Sequence, residues 1–196
     1  MSKLWKFSVI TMVLGCWVST AAALEITCEP SNERVASLDS AILCKTGNDE
    51  NIHSPEQVSD LFGGTWFKEG ELTANGTNDL FSVSLTSGNW GENNVEGTWT
   101  IDSQFWTVYG IAAITMHVGH GKGNPDFFAW LVTPGKSSGT FAYQDLDGKG
   151  GGISNLFLFG SGAPTPTNIL LPESGMGMLF LLGLMAVFLS RRRLAA

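Results

Sequence analysis

The chain has 196 residues and a formal net charge of −7, with 18 acidic residues against 11 basic ones. All of the acids lie between Glu25 and Glu173, whereas Lys3, Lys6, Arg191, Arg192 and Arg193 sit in the terminal segments, so only six basic residues share the body with the acids. A body this anionic repels phosphate backbones and anionic lipid; that argues against nucleic acid as a partner and against membrane docking through its own face, and favours divalent cations or neutral glycans.

Residues 1–23 read as a signal peptide: Lys3 and Lys6 open it, an apolar stretch follows from Phe7 to Val18, and Ala21-Ala22-Ala23 offers small residues at Ala21 and Ala23 for cleavage after Ala23. A competing reading takes Val13-Leu14-Gly15-Cys16 as a lipoprotein box with Cys16 lipidated, although the apolar run before it is short. Export places Cys28 and Cys44 in an oxidising compartment. A disulfide between them closes a loop of about sixteen residues, which stabilises by roughly 3 kcal/mol. The rival, a catalytic thiol, has no histidine near either cysteine in sequence.

Residues 24–162 are expected to form one all-β domain, a single antiparallel β-sandwich of jelly-roll-like arrangement. The part from Ser31 to Phe62 looks less strand-like. Within it, Ser54-Pro55-Glu56 predicts a short helix to Leu61 by its N-cap, first-turn proline and early acid. From Gly64 to Gly160 short apolar pieces alternate with turn clusters such as Asn75-Gly76, Gly88-Asn89, Pro134-Gly135 and Asp147-Gly148. Phe81 to Thr86 and Val95 to Ile101 alternate with period two, which puts Phe81, Val83, Leu85, Val95, Trp99 and Ile101 on one face and hydroxyl groups on the other. Further strands are expected at Thr65–Lys68, Phe105–His117, Phe127–Thr133, Gly139–Tyr143 and Ile153–Phe159.

Candidate chemistry inside the domain is sparse. Asp145-Leu146-Asp147-Gly148 could gather carboxylates on calcium, but Lys149 and Leu156 stand where an EF-hand needs ligands, and an Asp-Gly hairpin explains the same residues. His117 and His120 have no cysteine or glutamate at metal-site spacing, so no metal and no cofactor is expected. Trp90, set between Asn89 and Gly91 in a turn, is the candidate glycan contact, since exposed aromatic rings stack on sugar faces. No nucleophile elbow, phosphate loop or zinc-protease motif is present, and scattered carboxylates cannot be paired across a cleft from sequence; the chain reads as non-enzymatic.

Residues 163–170, with Ala163-Pro164-Thr165-Pro166-Thr167-Asn168, form a stiff linker. Residues 171–196 then carry Leu171-Pro172-Glu173-Ser174, an apolar run from Gly175 to Leu189, and Arg191-Arg192-Arg193. As a helix of about 1.5 Å per residue the run is a short span of the bilayer, and the arginines hold its end on the cytoplasmic side, leaving the domain outside.

This ending resembles the PEP-CTERM sorting signals recognised by exosortases, integral membrane transpeptidase-like enzymes. Pro172 and Glu173 match the motif core, Leu171 stands where valine is usual and Ser174 where a second proline is usual; the glycines of the helix and the three arginines complete the likeness. The segments Cys44-Lys45-Thr46-Gly47-Asn48-Asp49, Leu61-Phe62-Gly63 and Gly151 to Gly162 also look like stretches found in such proteins. The resemblance implies a cell-surface or extracellular-matrix protein, held by its C-terminal transmembrane helix before processing by an exosortase-like enzyme and associated with extracellular polysaccharide. Two alternatives stand beside it: a secreted carbohydrate-binding module, and a sortase-anchored protein in which Leu171 to Gly175 is a Leu-Pro-x-Thr-Gly motif with serine for threonine.

Overall fold

The computed structural model describes residues 25–28, 33–48, 51–119, 122–148 and 150–164. The signal-peptide residues Ala21 and Ala23, the sorting residues Leu171, Pro172, Glu173, Ser174, Arg191, Arg192 and Arg193, and also His120 and Lys149, lie outside the described residues. In chain order the elements are β1 (Glu25–Thr27), β2 (Arg34–Asp39), β3 (Ala41–Gly47), α1 (Pro55–Phe62), β4 (Trp66–Leu72), β5 (Gly76–Thr77), β6 (Phe81–Ser87), β7 (Asn94–Ile101), α2 (Phe105–Val108), β8 (Ile111–Gly119), β9 (Phe127–Val132), β10 (Ser138–Asp145) and β11 (Gly152–Ser161). They build two antiparallel sheets, one ordered β1-β2-β10-β7-β6-β5 and the other β3-β9-β8-β11-β4.

Period-two alternation explains how the sheets meet. In β7 Val95, Gly97, Trp99 and Ile101 are buried and Asn94, Glu96, Thr98 and Thr100 are exposed. Phe81 and Val83 of β6 and Phe141 and Tyr143 of β10 join the same inner face, which packs on Ile114, Met116, Trp130 and Leu158 of the second sheet. Gly97 is part of this fit: a Cβ there would meet the Phe141 ring at 2.6 Å and the Ser84 carbonyl at 2.8 Å.

The second sheet is buried on both sides at its three central strands. Its strands β8, β9 and β11 are therefore near-continuous apolar runs rather than alternating ones. Its outer face, with Trp66, Ala113, Phe127, Ala129, Phe157 and Phe159, is covered by Ile52 and by Val58 of α1. Helix α1 begins at the expected place. Ser54 caps it by accepting from the Gln57 N–H, and the Gln57 side chain accepts from the Ser54 N–H in return. Thr115 Oγ1 donates to the Ile52 carbonyl at 2.9 Å and Trp66 Nε1 to the Gly63 carbonyl at 2.7 Å, fixing both ends of the helical segment to the sheet.

Three devices join the layers. Cys28, just beyond β1, and Cys44, in β3, form the expected disulfide, which links one sheet to the other. Ser40 carries the chain from β2 of the first sheet into β3 of the second at φ 63°, a left-handed conformation uncommon for serine, and its carbonyl accepts from Thr133 at 2.8 Å. Arg34 is fully buried at the start of β2; it pairs with Asp126 at 2.9 Å and donates to the carbonyls of Pro125 (3.1 Å) and Gly150 (2.9 Å), which holds the β8–β9 and β10–β11 connections together.

Three expectations are corrected. The segment Ser31 to Phe62 contributes two strands, β2 and β3, besides the helix. The expected strand Phe105–His117 begins only at Ile111, because Asp102 accepts from Gln104 N at 2.8 Å and starts the turn of helix α2, which drops Phe105 into the core while the chain changes sheet. The Asp147-Gly148 segment is a crossover rather than a hairpin, since β10 and β11 lie in different sheets.

Removing the Arg34 guanidinium leaves the Asp126 carboxylate without its ion-pair partner beneath two loops. Arg34→Met is expected to lower the unfolding free energy by about 3 kcal/mol, the low end for a buried pair because Asp126 keeps a quarter of its side chain in water. Urea denaturation followed by tryptophan fluorescence measures it, and Arg34→Met with Asp126→Leu is expected to recover part of the loss.

Candidate functional site

The outer face of the first sheet carries the other half of the alternation. Opposite Phe81, Val83, Trp99, Ile101 and Phe141 stand hydroxyl side chains, and strand register lines them up in rows. Thr77 pairs with Ser82, Ser82 with Thr100 and Thr100 with Ser138. In the next row Ser84 pairs with Thr98 and Thr98 with Thr140. Neighbours across the strands are about 4.8 Å apart, and rows two residues on are about 6.8 Å apart, so the hydroxyls form a grid rather than a stripe.

Three shallow open depressions lie in this face. The largest, about 400 Å³, runs between the β5–β6 edge and β7 and is bordered by Thr77, Ser82, Ser84, Thr98 and Thr100. A second touches Thr86, Glu96 and Thr140, and a third Thr27, Ser37 and Gln144. Among all their lining residues only Glu96 is charged. In so acidic a chain, this makes the face chemically distinct.

The edge of the grid is held by local devices. Asn75 Oδ1 accepts from the Leu85 N–H at 3.1 Å, and the register of β6 against β7 shifts between Leu85 and Ser87, leaving Thr86 as the extra residue of a bulge. Such a surface can exchange hydrogen bonds with a hydroxylated partner without desolvating an ion, since each hydroxyl both donates and accepts.

The other candidates fall elsewhere. Trp90 is half-buried against the core and its Nε1 donates to the Ser154 carbonyl at 3.0 Å, so the indole fastens the β6–β7 turn to β11. Cys28 and Cys44 are joined in the disulfide. The Asp145 carboxylate is turned inward, accepting from Asn93 Nδ2 at 3.2 Å and Gly150 N at 3.0 Å, whereas Asp147 is exposed. Among the described residues no three of His, Cys, Asp and Glu are grouped to hold a metal, and no helix is long and apolar enough to cross a membrane. His117 Nδ1 meets Ser154 Oγ at the β11 bulge, and the nearby Asp126 carboxylate pairs with Arg34.

Strand patterning alone places hydroxyls opposite the core residues of β6 and β7 but attaches no role to them. The missing signal is the pairing of β7 with β10, which adds Ser138 and Thr140 and turns two patterned strands into a two-dimensional array. No family model, no curated protein and no solved structure matches this chain.

Burial pushes the His117 pKa below its ordinary value, against the pull of Asp126. The folded chain therefore binds the proton less well than the unfolded one, so stability rises with pH through this range. The His117 contribution is fully present above the ordinary imidazole pKa of about 6.5 and is lost as pH falls toward the depressed folded value. The expected outcome is a urea midpoint that drops between pH 7.5 and pH 5, with a smaller drop in His117→Gln.

Proposed function

We propose that this is an exported, non-enzymatic surface or matrix protein that holds neutral extracellular polysaccharide against the hydroxyl face of its first sheet. The observation that carries the reading is the grid itself: serine and threonine side chains, exposed apart from the half-buried Ser82, in register across β6, β7 and β10, almost free of charge in an acidic chain. A polysaccharide presents the same chemistry, repeated hydroxyls on an extended chain, and open depressions suit a polymer that passes through rather than a small molecule that is enclosed. The Cys28–Cys44 bond supports passage through an oxidising compartment.

In this reading the sandwich is jelly-roll-like, its chain changing sheet five times between β2 and β11. Residues 1–23 direct export, and Pro172-Glu173 with the apolar run and Arg191 to Arg193 is a PEP-CTERM-like signal cut by an exosortase-like enzyme. A secreted carbohydrate-binding module uses the same face and differs only in the role of the segment C-terminal to residue 162.

Two measurements test this. The purified chain is expected to co-sediment with the insoluble extracellular polysaccharide of its own host. Thr98→Glu and, separately, Thr100→Glu should cut retention at least tenfold with unchanged thermal melting, since docking must then desolvate a carboxylate. Retention equal to the parent chain in both variants contradicts the reading. Mass spectrometry of the chain recovered from the host surface should find it beginning after Ala23 and ending before Gly175; the intact chain in the cytosol with both thiols reduced contradicts export.

A further inference from the structure

Away from the hydroxyl face, β4, α2 and the start of β8 bring together a second group of exposed side chains. Phe67 is 53% exposed, Val108 56% and Ile111 38%, whereas the other aromatic rings among the described residues are buried or half-buried. Phe67 lies on β4, an edge strand. Its ring is 6.0 Å from that of the half-buried Tyr109, with 31° between the planes, so the two rings make a tilted pair at this edge.

Tyr109 is held rigidly. Its ring lies directly over Gly160, where any Cβ would collide with it, and it packs on the buried Phe105 ring at 5.0 Å. Its hydroxyl donates to the Glu69 carboxylate. Glu69 occupies a special place in β4. Lys68 is opposite Phe159 and Gly70 opposite Leu158, consecutive residues of β11, so Glu69 is the extra residue of a bulge. Bulges give up ladder pairing and re-aim a side chain, and here the side chain goes to Tyr109. Burial and the carboxylate push the Tyr109 pKa up to about 12, so the phenol keeps its proton at any ordinary pH.

The surroundings narrow the occupant. Strand addition by a second copy at β4 is opposed by the bulge and by the charged run Lys68-Glu69, with Glu71 beyond Gly70. An anionic ligand meets Glu69 and an acidic chain. What fits two tilted rings beside a carboxylate and a phenol is a molecule with an apolar face and a hydroxyl rim: its C–H groups lie on the rings and its hydroxyls donate to the carboxylate.

We propose that Phe67, Tyr109 and Glu69 form a stacking site for one neutral pyranose ring of a glycan, separate from the hydroxyl grid. The ligand class rests on the polysaccharide reading, whereas the residues are independent of it.

The full chain, purified as its host produces it, is titrated with cellohexaose and with soluble fragments of the host's extracellular polysaccharide, read by calorimetry and by saturation-transfer NMR. The expected result is binding of at least one probe that weakens tenfold or more in Phe67→Ala, is retained in Phe67→Tyr, and weakens severalfold in Glu69→Gln. Phe67 is solvent-facing, so its loss leaves the fold intact, checked by an unchanged melting temperature. Binding that ignores Phe67→Ala, or no binding of either probe, overturns the site. So does concentration-dependent self-association abolished by Phe67→Ala, which makes a second copy the occupant. Loss of sedimentation in Thr98→Glu with oligosaccharide binding indifferent to Phe67 sinks this site and leaves the polysaccharide reading standing; the converse pattern sinks the hydroxyl face alone.

Discussion

The pleat of the first sheet is the constraint on which the rest depends. Side chains along a strand must alternate between faces, so each residue that β6, β7 and β10 commit to the core fixes the identity of a neighbour on the outside. Trp99 and Ile101 inside bring Thr98 and Thr100 outside; Phe141 inside brings Thr140 and, through pairing, its contact with Thr98. A one-residue slip would expose Trp99 and bury the threonines. The burial of the indole and phenyl rings therefore holds the hydroxyl grid in register, and the face needs no loop to position it.

The second sheet makes this possible by serving as the middle layer. One face receives the aromatic side of the first sheet and the other is sealed by α1 and Ile52. With the sealing done on that side, the first sheet is free to leave its far face open. The joints between layers are short and costly to break: the covalent Cys28–Cys44 link, the single-residue corner at Ser40, and Arg34 gathering two connections around one guanidinium.

Much of this architecture is legible in the chain itself. Strict alternation in Val95 to Ile101 and Phe81 to Thr86 is a local signal, as is the capping order Ser54-Pro55-Glu56, and both correspond to elements of the fold. Strands β2 and β3 are hard to see because their cues are inverted: Arg34 is charged yet buried, and Ile42 and Leu43 are apolar yet exposed. Helix α2 is hidden by Phe105-Trp106-Thr107-Val108, residues that favour strands, while a single carboxylate at Asp102 decides the turn. The candidate sites are harder still. The grid requires β10 to lie beside β7, and the stacking ledge requires Tyr109 to reach Glu69 across 40 residues, neither of which local patterning encodes. Trp90 stands out in sequence as a lone aromatic in a turn, but its indole N–H is spent on Ser154.

The most direct test of the central claim is to watch the threonine methyl groups by NMR while soluble fragments of the host's extracellular polysaccharide are added. The account predicts that Thr77, Thr98, Thr100 and Thr140 shift together with one affinity, while the buried Thr115 on the second sheet stays still. Shifts confined to other threonines, or none among these four at saturating polysaccharide, would contradict it.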